Sequence, residues 1–142
     1  MFTMKVVSPA NTFEIPKECI SKVEFTTDIP QDSDARTADV GATLVIQGRV
    51  LTALDGDPFD STKQMALWSA VPAVSRDCYR SVTVKNVRGG VVEREYTFPN
   101  AFVVSYEERF SDAEGVGLFK LEVKQRRDLI EKLSVGGGFS GD

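Results

Sequence analysis

The chain has 142 residues, 42% apolar and 27% charged, which fits one soluble globular domain with a real buried core. It has no histidine, which excludes Ser-His-Asp and Cys-His nucleophilic chemistry and any zinc site built on imidazole. The formal net charge of -4 argues against a nucleic-acid binder, whose phosphate contacts need a clustered excess of Lys and Arg.

The opening residues Met1 to Pro9 lack the long apolar stretch of a secretory signal, and no run approaches the ~20 apolar residues of a membrane span. The cytoplasm is the expected compartment. Met4 to Val7 reads as a short strand ended by Ser8-Pro9-Ala10-Asn11, and Thr12 to Ile15 as a second one stopped by Pro16. Cys19 to Thr27 alternates Ile20, Val23 and Phe25 against Lys22 and Glu24, and the slip between Ile20 and Val23 predicts a bulge near Ser21. Cys19 and Cys78 both lie among strand-like residues and read as buried thiols. A disulfide would need an oxidising compartment, and nothing indicates export.

Asp28 to Asp39 is the longest irregular segment, polar and interrupted by Pro30. It reads either as a mobile solvent loop or as a contact arm toward another subunit. In the second case Gln31, Asp32, Asp34, Arg36, Thr37 and Asp39 are the contact residues. Val40 to Ala53 reads as a long strand with Leu44, Ile46, Gly48 and Val50 on one side. Thr43, Val45, Gln47, Arg49 and Leu51 take the other, and Gly48 marks a bend or a close backbone approach. Asp55, Asp57 and Asp60 invite a calcium reading, but Phe59, Asp60 and Ala66 occupy the positions where an EF-hand loop needs an oxygen ligand, a glycine and a glutamate. A helix start fits better. Asp60, or Asp57 with Pro58 after it, would cap a helix from Ser61 to about Ala70, with a Met65/Trp68/Val71 stripe and a stop at Pro72. Trp68 is expected to anchor that helix to the core.

Tyr79 to Gln125 holds four blocks of alternating apolar and polar residues, the period of half-buried strands. Arg88-Gly89-Gly90 joins the first two as a hairpin. Val82 and Val84 oppose Ser81, Thr83 and Lys85. Phe102, Val104 and Tyr106 are expected to oppose Ala101, Val103 and Ser105, and Phe119, Leu121 and Val123 to oppose Lys120, Glu122 and Lys124. A short apolar piece from Leu129 to Val135 follows, then a flexible Gly-rich tail, 136–142, behind a single domain, 1–135. The predicted fold class is mainly β, an antiparallel β-barrel or sandwich with one flanking α-helix at about residues 60–70.

Catalytic signatures are weak. Glu93 and Glu95 share a strand face and Glu107 and Glu108 share a turn, arrangements that usually serve solvation. Cys78 has Arg76 and Arg80 close in sequence, a slight hint of an electropositive setting for a nucleophile. Neither glycine cluster has the strand-loop-helix setting of a phosphate cradle. No enzyme activity, cofactor or metal is expected. The alternating Lys120, Glu122 and Lys124 row, continued by Arg126, reads as a solvated or edge-protecting face, or as the polar wall of a water-filled channel.

The order of these elements carries a resemblance. It lies in the long strand with Ile46-Gln-Gly-Arg-Val50, the helix from Asp60 to Ala70, and the meander with Phe98-Pro-Asn-Ala-Phe-Val-Val-Ser-Tyr106 and Gly117-Leu-Phe-Lys-Leu-Glu-Val-Lys124. Together they resemble the tail-tube proteins of contractile phages and bacterial contractile injection systems, including the haemolysin-coregulated protein of type VI secretion. The resemblance implies a small β-barrel that forms hexameric rings stacked into a hollow tube, with sheath and baseplate or spike proteins as partners and cargo in the lumen. It implies assembly in the cytoplasm as part of a phage tail or injection particle. It matches the extended contact loop to Asp28–Asp39 and makes Lys120, Glu122 and Lys124 candidates for the lumen. A small β-sandwich module binding a protein or glycan partner is the alternative reading.

Overall fold

The computed structural model describes residues 1–9, 11–29, 40–51, 60–113 and 115–140. In chain order these form β1 (Phe2–Val7), β2 (Thr12–Ile15), β3 (Ile20–Asp28), β4 (Gly41–Arg49), α1 (Ser61–Ser69), β5 (Arg80–Arg88), β6 (Val91–Arg109), β7 (Leu118–Gln125), β8 (Ser134–Gly136) and β9 (Phe139–Ser140). Every pairing is antiparallel. The strand order is β2-β1-β5-β6-β7-β4-β3, with β8 and β9 also on β6, and the sheet does not close. The fold is mainly β, and α1 is the one α-helix among the described residues, as the sequence predicts.

β6 explains the shape. It runs for 19 residues, far beyond the usual ~5–6. Its first part pairs with β5, from Arg88↔Val91 to Arg80↔Ala101, and its last part with β7, from Ala101↔Gln125 to Arg109↔Leu118. Just before Ala101, which pairs on both sides, lie Pro99, which has no N–H to give, and Asn100, at a shift in the β5 register. The sheet folds back on itself about this point. Phe25 of β3, at the far end of the strand order, stacks on Tyr96 of β6 at 4.7 Å and meets Phe98 edge-on at 6.1 Å. The result is a sandwich in which one strand belongs to both layers.

The core lies between the layers. Met4 and Val6, Phe13 and Ile15, Leu44 and Ile46, Val82 and Val84, and Leu121 and Val123 are all buried, each pair spaced by two residues as a pleated strand requires. α1 packs on β2 and β6 and brings Met65 and Trp68 into that core, with Val71 against it. The Trp68 indole Nε1–H donates to the Cys78 carbonyl at 2.9 Å, so its polar atom is satisfied where the ring is buried. Cys19 and Cys78 are buried thiols.

Three expectations need correction. Asp60 does hold the N-cap position, but at φ 46° its carboxylate makes no cap bond to the helix. The alternation through β6 breaks at Val104: the register with β7 shifts between Val103 and Ser105, so the ladder carries an extra residue there. Val103 and Tyr106 pack on the core, Phe102 pairs with Lys124 on the opposite face, and Val104 is exposed. From Gly136 the sequence suggests a flexible tail. Instead, Ser134–Gly136 and Phe139–Ser140 pair with Thr97–Glu95 and Val92–Val91 of β6, continuing the track of β7 along it. A 3-10 turn, Arg127–Lys132, takes up the extra residues between the two stretches.

Candidate functional site

The polar face of the β3-β4-β7-β6 layer is built by register. Lys22, Gln47, Lys120 and Glu107 stand side by side on the four strands, because each is the paired neighbour of the next. Two residues along, Glu24, Val45, Glu122 and Ser105 form a second row, and Thr26, Thr43, Lys124 and Phe102 a third. Directly behind them Phe119, Leu121 and Val123 are buried, so Lys120, Glu122 and Lys124 point out of the sandwich. The first row mixes Lys22 and Lys120 with Glu107, and the second carries Glu24 and Glu122.

Among the described residues the ion pairs on this face run along strands. Lys22 meets Glu24 at 3.0 Å and Arg109 meets Glu107 at 3.4 Å, both well exposed, and none joins Lys120, Glu122 or Lys124. Arg126 continues the row only in part. Its guanidinium lies 4.8 Å over the Tyr79 ring, and its Nε and Nη2 donate to the Asp128 carboxylate at 3.0 and 2.7 Å. That hydrogen bonding holds the Asp128 carboxyl below its usual value.

The open edges come next. Among the described residues nothing pairs with the outer side of β2, β3, β8 or β9. Each edge presents unpaired backbone groups, the usual template for another chain. Gln31, Asp32, Asp34, Arg36, Thr37 and Asp39 lie outside the described residues, as do Asp55 and Asp57. Their segment is rooted where Asp28 of β3 pairs with Gly41 of β4.

On the other layer lies a groove of about 770 Å³ that the sequence analysis missed. Its charged lining is Lys5, Glu14, Lys17, Lys85 and Glu95, with Thr3 and Thr83 between them. Lys5 pairs with Glu14 across β1 and β2, and Lys85 with Glu95 across β5 and β6. Lys5, Glu14, Lys85 and Glu95 are polar members of alternating strands, and Lys17 lies in the turn before β3. Their meeting depends on β1 lying between β2 and β5, which no local pattern encodes.

The sites weighed for chemistry do not assemble. Arg80, considered beside Cys78, turns inward and is 5% exposed. Its Nη2 donates to Asp77 Oδ2 at 2.6 Å and its Nε to the Asp77 carbonyl at 3.1 Å, and its guanidinium sits 5.4 Å from the Trp68 ring. The Cys78 thiol points to the Ala73 carbonyl at 3.8 Å. Glu93 takes bonds from Arg88 and Asn86 at 3.3 and 3.1 Å. Glu108 accepts the Tyr106 hydroxyl at 2.6 Å, and burial with that carboxylate pushes the phenol pKa up. These are structural contacts.

No protein-family model matches the sequence, and no curated protein matches it. Solved structures match in fold. A chain of the six-fold-symmetrised baseplate of the anti-feeding prophage is similar with a TM-score of 0.56 at 16% identity, over 96% of this chain and 92% of that one. Hcp1 from Flavobacterium johnsoniae gives 0.54 at 16% identity, over 96% and 98%. A chain of the sheath–tube complex of PVC, an extracellular contractile injection system in its extended state, gives 0.53 at 12% identity, over 96% and 88%. The chain therefore has the fold of Hcp1 and of chains from contractile injection particles.

Proposed function

We propose that this chain is a structural subunit of the hollow inner tube of a contractile tail or injection system, assembling as hexameric rings that stack. The observation carrying this reading is the match in fold to Hcp1, which covers 96% of this chain and 98% of that one. The open edges support it, since a ring would pair them and remove an aggregation hazard. In this reading Lys120, Glu122 and Lys124 face the lumen, and their mixed charge keeps the channel wet without fixing any one cargo. Segment 30–39 reaches a neighbouring subunit or ring. Sheath and baseplate proteins are the outer partners, and the subunit assembles in the cytoplasm before joining the particle. Its role is to form a wall, not to catalyse a reaction.

Negative-stain microscopy and sedimentation of the purified protein over a wide concentration range test this. Rings with a central hole, and stacks of them at high concentration, are the expected result. A strict monomer at every concentration, with no tube of this protein in its native particle, would overturn the reading.

A further inference from the structure

We propose that the stretch 134–140, which forms β8 and β9, is an autoinhibitory strap. It closes one edge of β6 in the free subunit, and a strand of a second copy takes that edge only when the strap has left. This rests on the tube reading for its biological setting but has its own physical basis. Ala101 pairs with β5 on one side and with β7 on the other, so β7, β8 and β9 share the edge of β6 that β5 does not occupy. The two halves of that edge are covered very differently. Over Ala101 to Arg109 the cover is β7, whose Phe119, Leu121 and Val123 are buried. Over Val91 to Thr97 it is the strap, whose Val135 and Phe139 are nearly half exposed. Among the described residues no side chain from Ser134 to Phe139 makes a hydrogen bond, an ion pair or a ring contact. The firm anchors end before the strap begins. Buried Gln125 accepts the Asn100 N–H and donates to the Leu129 carbonyl, both at 2.9 Å, and Leu133 packs on the core. Beyond Leu133 the hold consists of backbone pairing, including the Gly138 N–H to the Val92 carbonyl at 2.7 Å.

The edge beneath explains why a cover is needed. Val91-Val-Glu-Arg-Glu-Tyr-Thr-Phe98 is a continuous strand rich in β-branched and aromatic residues, and bare it would be a template for edge pairing. The strap replaces it with two short strands interrupted at Gly137 and Gly138, an outer edge too broken to hold a long partner strand. Val92 marks what is covered: it is buried, stands apart from the main core cluster, and has Phe139 as its register partner. Gly137 lets the strap lie close, since a Cβ there would fall 2.2 Å from the Glu93 carbonyl oxygen. A second copy is the fitting competitor because each copy leaves the nine-residue β3 unpaired on its outer side among the described residues.

The test removes the strap and, separately, locks it. A chain ending at Leu133 and the full-length Gly137→Val variant are compared with wild type by sedimentation velocity over a range of concentrations, with circular dichroism to check the fold. A strap docked about nine-tenths of the time weakens apparent affinity about tenfold, so both variants should self-associate at roughly tenfold lower concentration. Association equal to or weaker than wild type overturns the proposal. The T97C/S134C variant puts a disulfide across a register pair, whose Cα separation of about 4.5–5.5 Å suits one. Oxidised, it should stay monomeric where wild type associates, and reduction should restore assembly. Oxidised protein that assembles like wild type overturns the proposal even where the shortened chain fails to fold. In wild type, the amides of 134–140 should exchange with solvent at least about tenfold faster than those of β7, and equal protection of the two would show that the strap does not release. Wild-type tubes that ignore the lock would leave the tube reading standing without the strap. Shortened chains that associate but never form rings would do the reverse.

Discussion

The Asp77–Arg80 pair is the most consequential polar contact inside the protein. Arg80 cannot be deprotonated at ordinary pH, so its burial is tolerable only beside a negative partner. Hydrogen bonding from Arg80, and to a lesser degree from Ser8, holds the Asp77 carboxyl below its ordinary value of 3.8. Because the folded pKa is depressed, the stabilisation is fully present above the unfolded value and is lost as pH falls through the folded one. Urea midpoints measured from neutral pH downward should therefore decline below about pH 4. In Asp77→Asn that part of the decline should vanish while stability at neutral pH drops, because Arg80 is left buried and unpaired. A parallel acid limb in wild type and variant would refute this assignment. The sequence shows Arg80 only as a charge close to the Cys78 thiol; its burial is not legible there, because arginine is almost never buried unless paired.

Among the strands, what could be read followed local pattern. The bulge at Ser21 was legible because Ile20 and Val23 are both apolar at an odd spacing, and the register does shift between Ile20 and Lys22. The bulge at Val104 was not, because Phe102, Val103, Val104 and Tyr106 are all apolar or amphipathic and any phase fits them. The phase there is set by β7, whose Val123 and Glu122 pair with Val103 and Ser105. Gly48 predicts a bend or a close backbone approach, and the approach is what the fold has: a Cβ there would lie 1.8 Å from the Cys19 carbonyl oxygen. That oxygen accepts the Arg49 N–H at 2.8 Å, which pins the turn before β3 onto β4. Gly48→Val should cost about 3 kcal/mol or more, since backbone and not a flexible side chain must move. A chemical-denaturation midpoint unchanged from wild type would show that the turn yields freely.

For the whole molecule, deletion of Gln31 to Thr37 is the most direct probe of assembly. The described core does not include these residues, so the melting transition should remain cooperative and close to wild type. Stacking should fail, and tubes of normal length from the deletion variant would remove any contact role for the segment. Fold class and one polar face were legible because each strand states its own inside and outside. The groove was not, because it combines β1, β2, β5 and β6, and sheet order is a property of the complete fold.

The strand shared by both layers has a mechanical consequence. In most sandwiches two sheets are held by side-chain packing and can slide under load. Here a push on the β2-β1-β5 layer passes into the β7-β4-β3 layer through the covalent backbone of β6 at Pro99 and Asn100. The layers cannot shear apart without bending that strand or tearing its ladders, which are loaded lengthwise with many hydrogen bonds in parallel. A fold built this way resists shear between its layers as a single stiff block.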